Sequence, residues 1–197
     1  MIRHTPTQSG FSLVETLVAI TILLIVIVGP LTLVSNSVRS TDFSNDLVIA
    51  NFLAQEGLEI AQAERDRLIL PSFSGGTGGW NDFIDTSGVM ASCLTSVNPN
   101  GCGLDLNTNA RGSVNVRSCS GSACRLYISD DPDVRSVYTH SSAGSNAETR
   151  FTRAITINHT AGSPEVEVAS TVTWRADGQR AVQEVTAVTH LFNVYDR

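Results

Sequence analysis

The residues best placed to do chemistry stand together near the start of the chain, in the string Gly10-Phe11-Ser12-Leu13-Val14-Glu15. Glu15 is the one that demands explanation, because it directly precedes 23 consecutive residues, 16–38, without a formal charge. A carboxylate in an apolar membrane costs roughly 3 kcal/mol at the bilayer centre, and less near the interface, unless something pairs with it. A headgroup position, with the carboxylate beside the positive helix N-terminus, would relieve part of that cost. Hydrolysis of the Gly10–Phe11 bond would relieve more. It frees an α-amine on Phe11, a cation able to pair with the Glu15 of a neighbouring copy inside an apolar bundle. Such a pair favours one axial stagger between neighbouring helices.

The element that must position these groups is the apolar segment itself. Between residues 11 and 38, 18 of 28 residues are apolar. As a helix at ~1.5 Å per residue, the uncharged stretch reaches about 35 Å, enough to cross a hydrocarbon core of ~30 Å with some tilt. A buried core helix rarely runs so far without a polar face. A secretory signal peptide would place its small-residue cleavage site after the apolar stretch, whereas here Ser9-Gly10 comes before it. The leader, residues 1–10, carries Arg3 as its only formal side-chain charge, and Arg39 beyond the span is followed by Asp42 and Asp46. The positive-inside tendency therefore keeps the leader cytoplasmic and sends the remainder across. Gly29-Pro30 inside the span removes one backbone hydrogen bond and favours local bending or melting.

Composition narrows the function classes. The chain has 197 residues, 13 Lys+Arg, all of them Arg, and 19 Asp+Glu, for a net charge of −6. That balance lacks the basic footprint of a nucleic-acid binder, and 42% hydrophobic content is too high for a disordered chain.

Beyond a polar stretch at residues 36–45, a second helical pattern begins. Leu47, Ala50, Ala54, Leu58, Ala61 and Leu68 recur at steps of three, four or seven, with Glu56, Glu59, Glu64, Arg65, Asp66 and Arg67 between them. Pro71 ends it. Gly75-Gly76 and Gly78-Gly79 lack the Lys-Ser/Thr of a phosphate cradle and read as a turn, with Trp80 and Phe83 anchoring its far side. Residues 71–124 form a Gly-, Ser- and Asn-rich region holding Cys93, Cys102, Cys119 and Cys124. Their spacing does not fit a zinc site, and an even count outside the cytoplasm favours disulfides. Of the three possible connectivities, Cys93–Cys102 with Cys119–Cys124 closes two short loops, each contributing on the order of 2–3 kcal/mol. Residues 125–128, 151–157, 165–174 and 181–194 read as strands, the last three a meander, making residues 125–197 an antiparallel sheet. In the third strand Val166, Val168, Val172 and Trp174 share one face.

The string from Gly10 to Glu15, followed at once by the apolar helix, resembles the prepilin-type cleavage and methylation signal of type IV pilins and type II secretion pseudopilins. The resemblance implies cleavage between Gly10 and Phe11 by a prepilin peptidase, N-methylation of Phe11, and use of Glu15 with Phe11 in assembly. It also implies the pilin fold, an α+β arrangement in which a long N-terminal helix (11–38 spanning the membrane, 39–70 its amphipathic continuation) packs on a C-terminal antiparallel sheet. Leu53-Ala54-Gln55-Glu56-Gly57 and the strands around Phe151, Trp174 and Leu191-Phe192 are similar to minor pilins. Residues 72–122 resemble nothing that can be placed.

The partners so implied are other pilin or pseudopilin subunits, the prepilin peptidase and an inner-membrane assembly platform. The location is the cytoplasmic membrane in a single pass, N-terminus inside, and then a surface or periplasmic filament. No cofactor is implied. Asp130, Asp131 and Asp133 could face a Ca²⁺, but they lack the glycine and distal glutamate of an EF-hand and read better as a solvated turn. His4, His140, His159 and His190 are scattered, no nucleophile elbow is present, and catalysis is not expected. Two functions compete: a structural filament subunit, and a membrane-anchored binding or adhesion module using the Cys-rich region.

Overall fold

A computed structural model describes residues 10–75, 79–106, 113–129, 138–175 and 181–193. The chain divides into two units, Met1–Ser44 and Asn45–Arg197. Helix α1, Leu13–Ile69, contributes to both. In the first unit it is uninterrupted at Gly29-Pro30, so the helix does not melt there. Proline removes the donor for one turn, yet the Thr32 hydroxyl donates to the Gly29 carbonyl at 2.7 Å, so polar groups around the break are used within the helix.

The second unit is a layer of helix on a seven-stranded antiparallel sheet. After α1 come a short helix, α2 (Trp80–Ile84), and a 3₁₀ turn at Ala91–Cys93. The strands are β1 (Cys102–Leu106), β2 (Val114–Ser118), β3 (Arg125–Ile128), β4 (Tyr138–Thr139), β5 (Ala147–His159), β6 (Glu165–Trp174) and β7 (Gln183–Phe192). β5 is the spine. Along one edge it pairs with β6 from Phe151↔Trp174 to His159↔Val166. Along the other it meets β3 at Thr152↔Arg125 and β1 at Ile155↔Cys102. β2 flanks β1, β4 flanks β3 and β7 flanks β6.

The sheet therefore begins at Cys102, inside the region read as loop. β1 carries Gly and Asp and no β-branched residue, and β2 sets only Val114 and Val116 among Asn, Arg and Ser, so propensity announces them weakly. They are held by strand pairing and by the cystine at Cys102. Trp80 and Phe83 are buried in the core beside Met90, Leu94 and Leu104, which extends that core well before residue 125.

The helical stripe on the sheet also differs from the expected one. Buried positions are Ala50, Leu53, Ala54, Gly57, Ile60, Ala61 and Glu64, whereas Leu47 is 37% exposed. Small residues on this face let the helix backbone come close. A Cβ added at Gly57 would stand 2.3 Å from Ser170 Oγ and 3.2 Å from Arg153 Cδ. Arg153, whose side chain has no exposure, fixes the register of this contact. Its Nη1 donates to Glu56 Oε2 at 2.7 Å and to the Leu53 carbonyl at 3.3 Å, and its Nη2 to the Leu104 carbonyl at 3.1 Å. Only a guanidinium offers enough planar donors for acceptors on α1, β1 and the Glu56 side chain together. A second pair, Arg150 Nη1 to Asp46 Oδ2 at 3.0 Å, joins β5 to an earlier turn of the same helix.

Candidate processing and assembly site

Helix α1 starts at Leu13, and the Thr16 backbone N–H donates to the Ser12 carbonyl at 3.2 Å. The first helical turn therefore closes on Ser12 and leaves the Gly10–Phe11 peptide outside the helix. A peptidase needs a scissile bond that is free of internal hydrogen bonds and open to approach. Gly10 is exposed, nothing lies within 4 Å of the place a Cβ would occupy, and Phe11 is 81% exposed. Glu15 lies in the first turn of α1, exposed, at the end of the helix where backbone N–H groups favour a negative charge.

From Glu15 onward the helix is built to be surrounded by something apolar. Every side chain from residue 13 to residue 42 is exposed, including Ile20, Leu24, Ile25 and Leu33. The most apolar 18-residue stretch has none of its length buried. The hydroxyls between residues 16 and 35 are satisfied locally: Thr16 Oγ1 donates to the Leu13 carbonyl at 2.8 Å, Thr21 Oγ1 to Val18 at 2.8 Å, and Ser35 Oγ to Leu31 at 3.0 Å. Hydroxyls bonded to their own helix can enter hydrocarbon without leaving a donor bare. Glu15 differs from these hydroxyls: it is a carboxylate with no side-chain partner among the described residues.

The cysteines serve a different end. Cys93 is bonded to Cys102 and Cys119 to Cys124, with Cα separations of 4.6 and 5.2 Å. All four are buried, and the first pair lies in the main core. The first cystine ties the 3₁₀ turn to the start of β1; the second closes the connection from β2 to β3. They staple the sheet, and do not present a free loop.

The histidines are not brought together. His140, expected in a polar loop, is 1% exposed. Its ring packs where Gly103 lacks a side chain, its backbone N–H donates to the Asp105 carboxylate oxygens at 2.9 Å, and its Nδ1 lies 3.2 Å from the Arg125 carbonyl. Burial pushes its pKa below the usual imidazole value; Asp105 opposes that shift, while Arg153 and Arg117 add to it. His159 sits at the β5–β6 turn and His190 pairs with Glu165 on the neighbouring strand at 2.6 Å. His4, Asp130, Asp131 and Asp133 lie outside the described residues. Among the described residues, no three His, Cys, Asp or Glu side chains converge as metal ligands.

Sequence reasoning did not identify Arg153 or His140 as organising residues. The readable signal for Arg153 was parity: it shares a strand face with Phe151, Ile155 and Ile157, which marks a cation on an apolar face.

No curated protein and no solved structure matches the chain. Residues 5–29 match the family described as the prokaryotic N-terminal methylation motif. That match covers the Gly10–Phe11 bond, Glu15 and the apolar stretch as far as Gly29, so the chain carries a prepilin-type N-terminal signal of the kind that type IV pilins and pseudopilins bear.

Proposed function

We propose that this chain is a structural subunit, a minor pilin or pseudopilin, of a type IV pilus or type II secretion filament. A prepilin peptidase cuts it between Gly10 and Phe11, Phe11 is N-methylated, and an inner-membrane platform draws it from the membrane into the filament through α1. The subunit waits in the cytoplasmic membrane with its leader inside and the Asn45–Arg197 unit outside. The observation that carries this reading is Glu15: an exposed carboxylate in the first turn of an otherwise uncharged, unburied helix segment, directly after an accessible Gly10–Phe11 bond. In an apolar bundle the freed Phe11 amine of one copy and the Glu15 of the next neutralise each other. The competing reading, an anchored binding module built on residues 71–124, draws no support from the cysteines, since all four are spent on the core.

The test is to express the chain with a prepilin peptidase and its cognate filament machinery. The mature protein should begin at Phe11 and carry the mass of one added methyl group. Glu15→Val should still be inserted in the membrane yet be missing from sheared filaments. Normal incorporation of Glu15→Val would remove the role given to that carboxylate, and an uncut wild-type chain would remove the processing step.

A further inference from the structure

A second pair of opposite charges stands on α1 at the far end of the uncharged stretch. Arg39 and Asp42 are both exposed, are three residues apart, and make no ion pair with each other or with any described residue. Resting on the assembly role proposed above, we infer that Arg39 of one copy pairs with Asp42 of the next and forms a second register clamp.

The spacing supports it. Pairing the Phe11 amine with a neighbour's Glu15 displaces two parallel helices by four residues, about 6 Å. Pairing Arg39 with a neighbour's Asp42 displaces them by three, about 4.5 Å, in the same direction. The difference is within the reach of an arginine side chain. In both pairs the cation precedes the anion, so the two axial shifts agree in direction and differ by one residue.

The two cations, at 11 and 39, and the two anions, at 15 and 42, flank the uncharged stretch at its two ends. The apolar segment between them supplies contact without specifying register, because Leu, Ile and Val can slide past one another. Charges at its two ends prevent the slide. The occupant of this helix face is therefore a second copy of the chain. Arg39 also lies at the end of the span where a lone cation is disfavoured by the positive-inside tendency, and a carboxylate partner removes that conflict.

The experiment is charge inversion in the full chain, with incorporation into filaments as readout and membrane fractionation as control for insertion. Arg39→Asp and Asp42→Arg should each lower incorporation about fivefold or more, the scale of an exposed pair turned repulsive. The double variant Arg39→Asp/Asp42→Arg should recover most of it. Unchanged incorporation of either single variant would overturn the clamp. So would loss in Arg39→Asp that Asp42→Arg neither shares nor rescues, the pattern expected if Arg39 merely meets anionic lipid headgroups. Glu15→Val run in parallel separates the two proposals: if it is excluded while the inversions are silent, the assembly role stands and only this clamp fails.

Discussion

One helix serves two environments, and its two stretches reverse each other's rules. Across residues 13–42 the large apolar side chains all point outward, with Ile25 75% exposed and Leu33 71%. From residue 45 to the end of α1 at Ile69 a row of the buried positions is small, Ala50, Ala54, Gly57 and Ala61, and the largest cation of the contact, Arg153, comes from the sheet. The first stretch needs bulk because lipid or other helices must fill the space round it. The second needs slimness because a sheet is already fixed against it. The same residue type should therefore matter differently in the two stretches, and this can be measured.

The largest effect is expected where charge is buried. Glu56→Ala removes the carboxylate partner of the wholly buried Arg153; since the Glu56 side chain is 37% exposed, water can take part of its place, and the loss should be about 2–3 kcal/mol in urea unfolding of the full chain in detergent. A loss under about 1 kcal/mol would mean that the carbonyls of Leu53 and Leu104 hold the guanidinium alone. Next come the two glycines of α1. Gly57→Ala pushes a Cβ into Ser170 Oγ and should destabilise by about 1–3 kcal/mol despite the better helix former, with Ser170→Ala recovering much of it. Gly29→Ala meets nothing within 4 Å and should leave the unfolding of the Asn45–Arg197 unit unchanged. Equal effects at the two positions would break the comparison.

Smaller again is a dependence on pH. Burial depresses the His140 pKa, so the folded protein holds this ring neutral. As pH falls below about 6.5 the unfolded chain takes up a proton that the folded chain refuses, and stability declines until the lowered folded value is reached. The slope is at most about 1.4 kcal/mol per pH unit from this one group. His140→Gln should flatten stability between pH 6.5 and the lower limb, read by thermal unfolding across pH; an unaltered profile would assign the acid sensitivity elsewhere. Last, Phe52, 68% exposed on the outer face of the covered stretch, should change stability by less than about 0.5 kcal/mol when replaced by alanine, while its neighbour Leu53, 3% exposed, should cost about 2–5 kcal/mol.

What could be read beforehand follows the same division. Uncharged length marked the exposed stretch, and alternation marked β6, whose bounds Glu165–Trp174 are those expected from Val166, Val168, Val172 and Trp174. Ser170 shares that buried face and was not singled out, because a hydroxyl carries no apolar signal; its reason is Gly57 above it. The helix stripe was legible in its alanines but not in Gly57 or Glu64, the latter buried and bonded to Arg67, since a period of apolar residues is blind to both. β1 was illegible because pairing and a cystine, not composition, make it a strand, and β2 because the alternation of Val114 and Val116 is too short to stand out. At the processing site the pattern from Gly10 to Glu15 was visible from residue type alone, because its chemistry depends on chain order. The Arg153 cluster depends on groups about a hundred residues apart in the sequence, and no local spacing announces it.

The position of β5 has a consequence for the order of events in the cell. Helix α1 is finished at Ile69, but the strands that cover its Ala50–Ala61 face end only at Trp174, after β5 and β6. At about 5–20 residues added per second, roughly 100 residues of further synthesis leave that face bare for about 5–20 s. During this interval the uncharged stretch is already long enough to enter the membrane, while the slim face waits for a sheet that does not yet exist. Sheet closure then depends on contacts between segments far apart in the chain, which form slowly. Anchoring should therefore precede folding, and the bare alanine face should be the part of a newly made chain that a chaperone would first have to shield.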